Sequence, residues 1–205
     1  MILYVETNFL LEHALRHSEH SHCESILNLS EAGKLRLAVP AFCLAEPYHA
    51  LSGKEDRRMA AHDAVGLELR QPTRSEPLAD RASALIELTS LLVRASEEDR
   101  TRLDAIVERM LRTTDVVPFD AAVARASSAM RVEYSLSPPD AIVLASIIGH
   151  IETHRPPESC FVTRDHTDFL NPDIAQRLTP LGCTQVFTYS DAYQLVTHRL
   201  GLPGA

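Results

Sequence analysis

The sequence predicts an α/β protein, a three-layer α/β/α sandwich built on a parallel sheet, with a helical section inserted into it. Three observations carry this. Short stretches rich in β-formers alternate with helical stretches along most of the chain. Those short stretches are apolar throughout, as strands covered on both faces are, rather than alternating in polarity. One long section, at about 54–115, carries helical periodicity alone. With 205 residues and 45% hydrophobic content, the chain is expected to form one domain over 1–200.

Met1 to Val5 is an apolar run that stops at Glu6-Thr7-Asn8, after which Leu10, Leu11, Ala14 and Leu15 recur at helical spacing. That is a buried strand entering a helix. A second helical pattern carries Cys23, Ile26, Leu27 and Leu29 and stops at Gly33. A short strand from Leu35 to Val39 follows, and Pro40 opens a helix in which Glu46 is expected two turns in, on a largely buried surface with Phe42, Ala45 and Ala50.

From Lys54 to Asp115, Leu85, Leu88, Leu91 and Leu92, then Leu103, Ile106, Val107, Met110 and Leu111, mark an apolar helical stripe broken by Pro72 and Pro77. Val116 to Phe119 reads as a strand, and Asp120 can cap a helix through Arg131. Ser137-Pro138-Pro139-Asp140 opens an apolar helix from Ala141 to Ile148. A strand from Cys160 to Thr163, a helix near Asp168 to Gln176, a strand from Thr184 to Tyr189 and a helix begun by Ser190 and Asp191 complete the pattern. The tail from Gly201 to Ala205 is expected to be disordered.

Composition excludes several classes. No apolar run has the ~18 residues of a membrane span, and the start lacks the features of a signal peptide, so a soluble cytoplasmic protein without membrane association is expected. Cys23, Cys43, Cys160 and Cys183 are widely spaced with no C-x-x-C pair, which suits buried reduced thiols. A formal net charge of −8 argues against broad coating of nucleic acid. It leaves room for a carboxylate-rich site, which itself lowers the charge.

In an open parallel sheet, ligands gather beyond the carboxyl ends of the strands. Glu6 and Asp165 stand at two such ends, Asp140 lies in the first turn of its helix, and Glu46 projects from a helix that begins after a strand. Two carboxylates about 4 Å apart repel by roughly 4 kcal/mol at an effective dielectric near 20, so four together require protonation or a cation. Oxygen ligands favour Mg²⁺ or Mn²⁺, which polarises a phosphoryl oxygen and lowers the pKa of bound water for in-line attack on a phosphodiester. G-x-S-x-G, H-E-x-x-H and P-loop motifs are all missing.

These segments resemble the PIN-domain ribonucleases. Tyr4-Val5-Glu6-Thr7-Asn8 is similar to the family's strand-end D-T-N signature, and Val39-Pro40-Ala41 through Glu46 to the segment with its second acid. Pro139-Asp140-Ala141-Ile142-Val143-Leu144-Ala145 resembles the third-acid helix, and Phe161-Val162-Thr163-Arg164-Asp165 with Asp168-Phe169 the fourth, T-x-D-x-x-D-F. The resemblance implies a flavodoxin-like sandwich and an endoribonuclease using Mg²⁺ or Mn²⁺. It implies Glu6, Glu46 and Asp140 as the main catalytic metal ligands, Asp165 as a further ligand or a surrounding acid, and Asn8 and Thr163 as orienting hydrogen-bond partners; Asp168 is expected in support, as a helix cap or as a ligand of a second metal. For many bacterial members it also implies a toxin role, with an antitoxin or other regulatory protein as partner; a homodimer is expected by the same analogy.

Two departures qualify the match. Position 6 is Glu where the family usually has Asp, one methylene longer, which is expected to weaken or retune activity. The 54–115 section is longer than short toxins possess, and its eleven Lys and Arg are offset by thirteen acids, which gives no support to a phosphate clamp unless the arginines segregate. Simpler roles stand beside the functional ones: Asp140 and Asp168 as helix caps, Asp165 as a strand terminator, Arg164 either meeting the scissile phosphate or pairing with Glu158. The His17, His20, His22 and Cys23 group reads as solvated surface rather than a metal site. The rivals to a nuclease are an inactive protein- or RNA-binding module and a metal phosphohydrolase of small phosphate esters.

Overall fold

The computed structural model describes residues 1–202. Five short strands form one sheet: β1 (Ile2–Tyr4), β2 (Arg36–Pro40), β3 (Asp115–Val117), β4 (Ser159–Val162) and β5 (Cys183–Val186). Their order is β3-β2-β1-β4-β5 and every neighbouring pair is parallel. Every residue of β1 and β4 is buried, as the unbroken apolar runs in the sequence require of central strands.

Helices fill the crossovers. Between β1 and β2 come α1 (Thr7–Ala14) and α2 (His20–Glu31), and between β2 and β3 come α3 (Phe42–Glu68) and α4 (Ala79–Thr113). Between β3 and β4 lie α5 (Ala121–Glu133) and α6 (Pro138–His154), between β4 and β5 α7 (His166–Phe169) and α8 (Pro172–Leu178), and α9 (Tyr189–Arg199) closes the order. α2 packs on β2 and against α9, which covers β4 and β5; α5 pairs with α6, which lies against β2 and β3. The fold is thus the three-layer α/β/α sandwich that the alternating pattern predicts.

The chain leaves β1 for β2 on one side and later returns to place β4 on the other. That reversal opens a crevice past the carboxyl ends of β1 and β4, where ligands collect in such sheets. Glu6 follows β1 by two residues and Asp165 follows β4 by three.

The chain divides into two compact units, Met1–Pro47 with Ala105–Ala205, and Tyr48–Asp104. The first contains the sheet. Within the second, the two helical segments run antiparallel, since Tyr48 bonds Asp104, Glu55 pairs with Arg100, Arg58 reaches Ser96 and Asp99, and His62 meets Thr89. Buried Asp99 accepts Arg58 and Arg102, with the Lys54 ammonium 3.8 Å away. Leu85, Leu88, Leu91 and Leu92, expected as an apolar stripe, are exposed, so polar contacts zip this hairpin. Lys54, Arg58, Arg100 and Arg102 are thus engaged with acids of the hairpin.

Other expectations shift. The predicted helix at 168–176 is two helices, because Asn171 caps a new start at Pro172, whose ring cannot continue α7. α3 begins at Phe42, so Glu46 lies just over one turn in, and Ala45 and Ala50 are exposed rather than buried. β3 and β5 end short of Phe119 and Tyr189; Tyr189 instead opens α9 under a Thr188 cap. Gly201 and Leu202, expected in the loose tail, close α9: Gly201 takes φ +64°, and Leu202 N–H donates to Thr197 at 3.0 Å. The remainder of that tail, residues 203–205, lies outside the described residues. All four cysteines are free and buried, and among the described residues no helix is long and apolar enough to cross a membrane.

Candidate metal centre

Glu6 is extended at φ −127° and caps α1, its Oε2 accepting the Asn8 N–H at 2.8 Å. Its Oε1 accepts the Thr163 hydroxyl at 3.2 Å. The side chain is taken from water, with the residue only 5% exposed. Burial pushes its pKa up to about 7, against the opposing hydrogen bonds from Asn8 and Thr163 and with a small push from the charge on Asp140.

Thr163 ties the ends of the two central strands together. While its hydroxyl donates to Glu6, the same oxygen accepts the Asp165 N–H at 3.0 Å. Asp165 in turn caps α7, accepting the amides of Thr167 at 2.9 Å and Asp168 at 3.0 Å. That turn brings a second carboxylate, Asp168, beside the first.

Asp140 arrives from the opposite element. Ser137 caps α6, and its hydroxyl donates to the Asp140 carboxylate. One ligand atom from each of Asp140, Asp165 and Asp168 lies within 4.8 Å of the other two. Partial burial raises the Asp140 pKa to about 6; the Ser137 bond opposes this, and the charges of Asp168 and Asp165 add to it.

Glu46 sits elsewhere around Glu6. Its Oε2 accepts the Thr7 hydroxyl, and it joins Glu6 in raising the pKa of the buried Cys43 thiol, whose burial is the larger cause. Of the four acids singled out in the sequence, then, Asp140 and Asp165 converge directly, Glu6 is linked to Asp165 through Thr163, and Glu46 reaches the neighbour of Glu6. Asp168, expected in support, stands with the converging pair.

Two spacings in the sequence could have placed these pairs. Asp165 and Asp168 are spaced as a cap and its third helical residue, which sets both carboxylates at one turn. Ser137 and Asp140 have the same S-x-x-D spacing. Thr7 carried no signal beyond its place between Glu6 and Asn8.

Arg164 does not pair with Glu158, as one sequence reading had it: Arg199 takes Glu158 at 2.8 Å, and Arg164 Nη1 donates to Glu12 at 2.7 Å. Among the described residues, no cluster of three potential metal ligands includes His17, His20, His22 or Cys23; Cys23 is fully buried.

The donor set fits a hard divalent cation. Every candidate ligand is a carboxylate oxygen, and among the described residues no Lys or Arg ion-pairs with Glu6, Glu46, Asp140, Asp165 or Asp168. Burial is the main cause of the raised Asp140 pKa, and the negative charges of Asp168 and Asp165 add to it. A cation there would relieve repulsion that protons otherwise relieve.

Comparison with known proteins agrees with this geometry. The family model of the PIN domain matches residues 3–169. That span includes every acid described above. No curated protein matches the chain.

Proposed function

The chain belongs to the PIN domain family, whose members are usually nucleases, and on that premise we propose that it is a Mg²⁺- or Mn²⁺-dependent endoribonuclease. The observation that carries the reading is the meeting of Asp140, Asp165 and Asp168 within 4.8 Å, one threonine away from buried Glu6.

In this reading Asp140, Asp165 and Asp168 hold the cation, with Glu6 and Glu46 completing the acidic crevice. When bound, the cation neutralises charge on the phosphoryl oxygens and makes water a competent nucleophile near neutral pH. The protein's own part is preorganisation. Ser137 fixes Asp140, the α7 cap fixes Asp165 relative to Asp168, and Thr163 fixes both strand ends at once, so the carboxylates need little rearrangement when charge develops. Burial pushes the Glu6 carboxyl up to about 7, and a cation beside it would draw it back toward the ionised form.

A regulatory protein partner of the antitoxin kind and a homodimer belong to the same proposal by family likeness. The test is cleavage of a panel of single-stranded and hairpin RNAs with Mn²⁺ or with EDTA, comparing wild type with Asp140→Asn. Cleavage that requires Mn²⁺ and disappears in the variant is expected. Silence from both proteins would instead favour a binding module, in which Glu6 serves only as the cap of α1.

A further inference from the structure

A hollow of about 330 Å³, lined by Asn8, Leu11, Glu12, Leu15, His17 and Arg164, is left without a role by the cleavage reading. Two of its walls come from residues next to the acids. The Asn8 amide bonds Glu6, and Arg164 stands between Thr163, which holds Glu6, and Asp165.

Its remaining walls come from one face of α1, where Asn8, Leu11, Glu12 and Leu15 recur at helical spacing. The helix ends with Arg16 in the left-handed region at φ +51°, Arg16 N–H donating to the His13 carbonyl at 3.2 Å and His17 N–H to the Glu12 carbonyl at 3.0 Å. This turn folds His17 back over Glu12, with its Nδ1 3.6 Å from Glu12 Oε2.

The Glu12 side chain is only 4% exposed, and a carboxylate so buried is costly unless both oxygens are matched. Here they are. Oε1 accepts the Glu19 N–H at 2.6 Å, and Oε2 accepts Arg164 Nη1 at 2.7 Å. The Arg164 side chain is 40% exposed, and Glu12 uses one of the five N–H donors of a guanidinium. An arginine anchored at one nitrogen on a buried carboxylate, with its other donors beside an open hollow, suits a phosphate.

We propose that this hollow receives a phosphate of the RNA strand adjoining the scissile one, with Arg164 as the cation that binds it and Glu12 as the positioning residue that anchors Arg164. The proposal rests on the nuclease reading for its substrate, yet it is tested without cleavage. Binding of a fluorescein-labelled single-stranded RNA 12-mer is followed by anisotropy in EDTA over a series of salt concentrations. Arg164→Gln is expected to weaken binding roughly tenfold and to make the slope of log affinity against log salt shallower by about 0.7, the loss of one phosphate contact on a single strand.

Arg164→Lys is expected to recover the slope and only part of the affinity. In a Glu12→Gln background the Arg164→Gln change should cost less than about threefold, because the arginine is no longer anchored; thermal unfolding of each variant identifies the folded ones, and the Arg164 substitutions alone decide the matter if Glu12→Gln fails to fold. Equal slopes and affinities for wild type and Arg164→Gln, or no RNA binding by wild type, would overturn the proposal. Arg164-dependent binding without Mn²⁺-dependent cleavage would uphold the hollow and sink the nuclease, whereas cleavage with unchanged slopes would do the reverse.

Discussion

The Thr163 hydroxyl donates to the Glu6 carboxylate across 3.2 Å, joining residues 157 positions apart in the chain. Because the same oxygen accepts the Asp165 amide, one side chain fixes two acids of the crevice. Thr163→Val keeps the shape but removes both bonds, leaving a buried carboxylate short of a donor and an amide short of an acceptor. A loss of about 1–3 kcal/mol in denaturant unfolding is expected, with a fall in nuclease activity that Thr163→Ser restores.

The architecture and the cluster were legible to different degrees. Strands were readable because Met1 to Val5 and Cys160 to Val162 are apolar throughout, a pattern that only doubly covered strands require. Asp140 and Asp165 were readable because each follows a helix-start or strand-end signal. Asp168 was assigned a supporting place because spacing alone does not tell a cap's neighbour from a ligand; the α7 turn decides it. Of the two readings of Arg164, only the pairing with Glu158 failed, and for the opposite reason. Its partner Glu12 lies 152 residues away, and no local pattern announces such a contact.

Asp168 gives a direct test of that difference. Mn²⁺ titrated calorimetrically into wild type, Asp168→Asn and Glu46→Gln should show at least roughly tenfold weaker binding for Asp168→Asn, because it belongs to the group within 4.8 Å. Glu46→Gln should lose less, since its carboxylate is engaged with Thr7. The reverse order would return Asp168 to a capping role.

Acid protonation gives a pH signature in EDTA. Burial raises Glu6 from 4.5 to about 7 and Asp140 from 3.8 to about 6, so the folded state holds protons that the unfolded chain has released. Their contribution to stability is therefore complete below the ordinary carboxylate range and is lost as pH rises through 6 to 7. Wild type should lose melting temperature between pH 5 and 8 relative to Asp140→Asn, on the order of 5 °C, with Mn²⁺ restoring it most at the high end. A constant difference between the two proteins across that range would contradict the assignment.

The hairpin unit, Tyr48–Asp104, depends on Asp99. Asp99→Ala strands Arg58 and Arg102 beside a vacated position and is expected to cost about 3 kcal/mol. Hydrogen exchange should show the loss as faster amide exchange within 48–104. Leu88→Ala, at an exposed position, should leave that exchange almost unchanged.

The parallel pairing of β1 with β4 also sets when the crevice can exist. Glu6 is made 157 residues before Thr163, and Asp165 follows two residues later. Until β4 docks, the early acids have no late partners, and such non-local pairing forms slowly. A polypeptide not yet extended past β4 to Asp165 therefore carries no assembled centre. If the folded protein cuts RNA, the messenger and ribosome that produce it are spared until β4 has been made, a safeguard written into strand order.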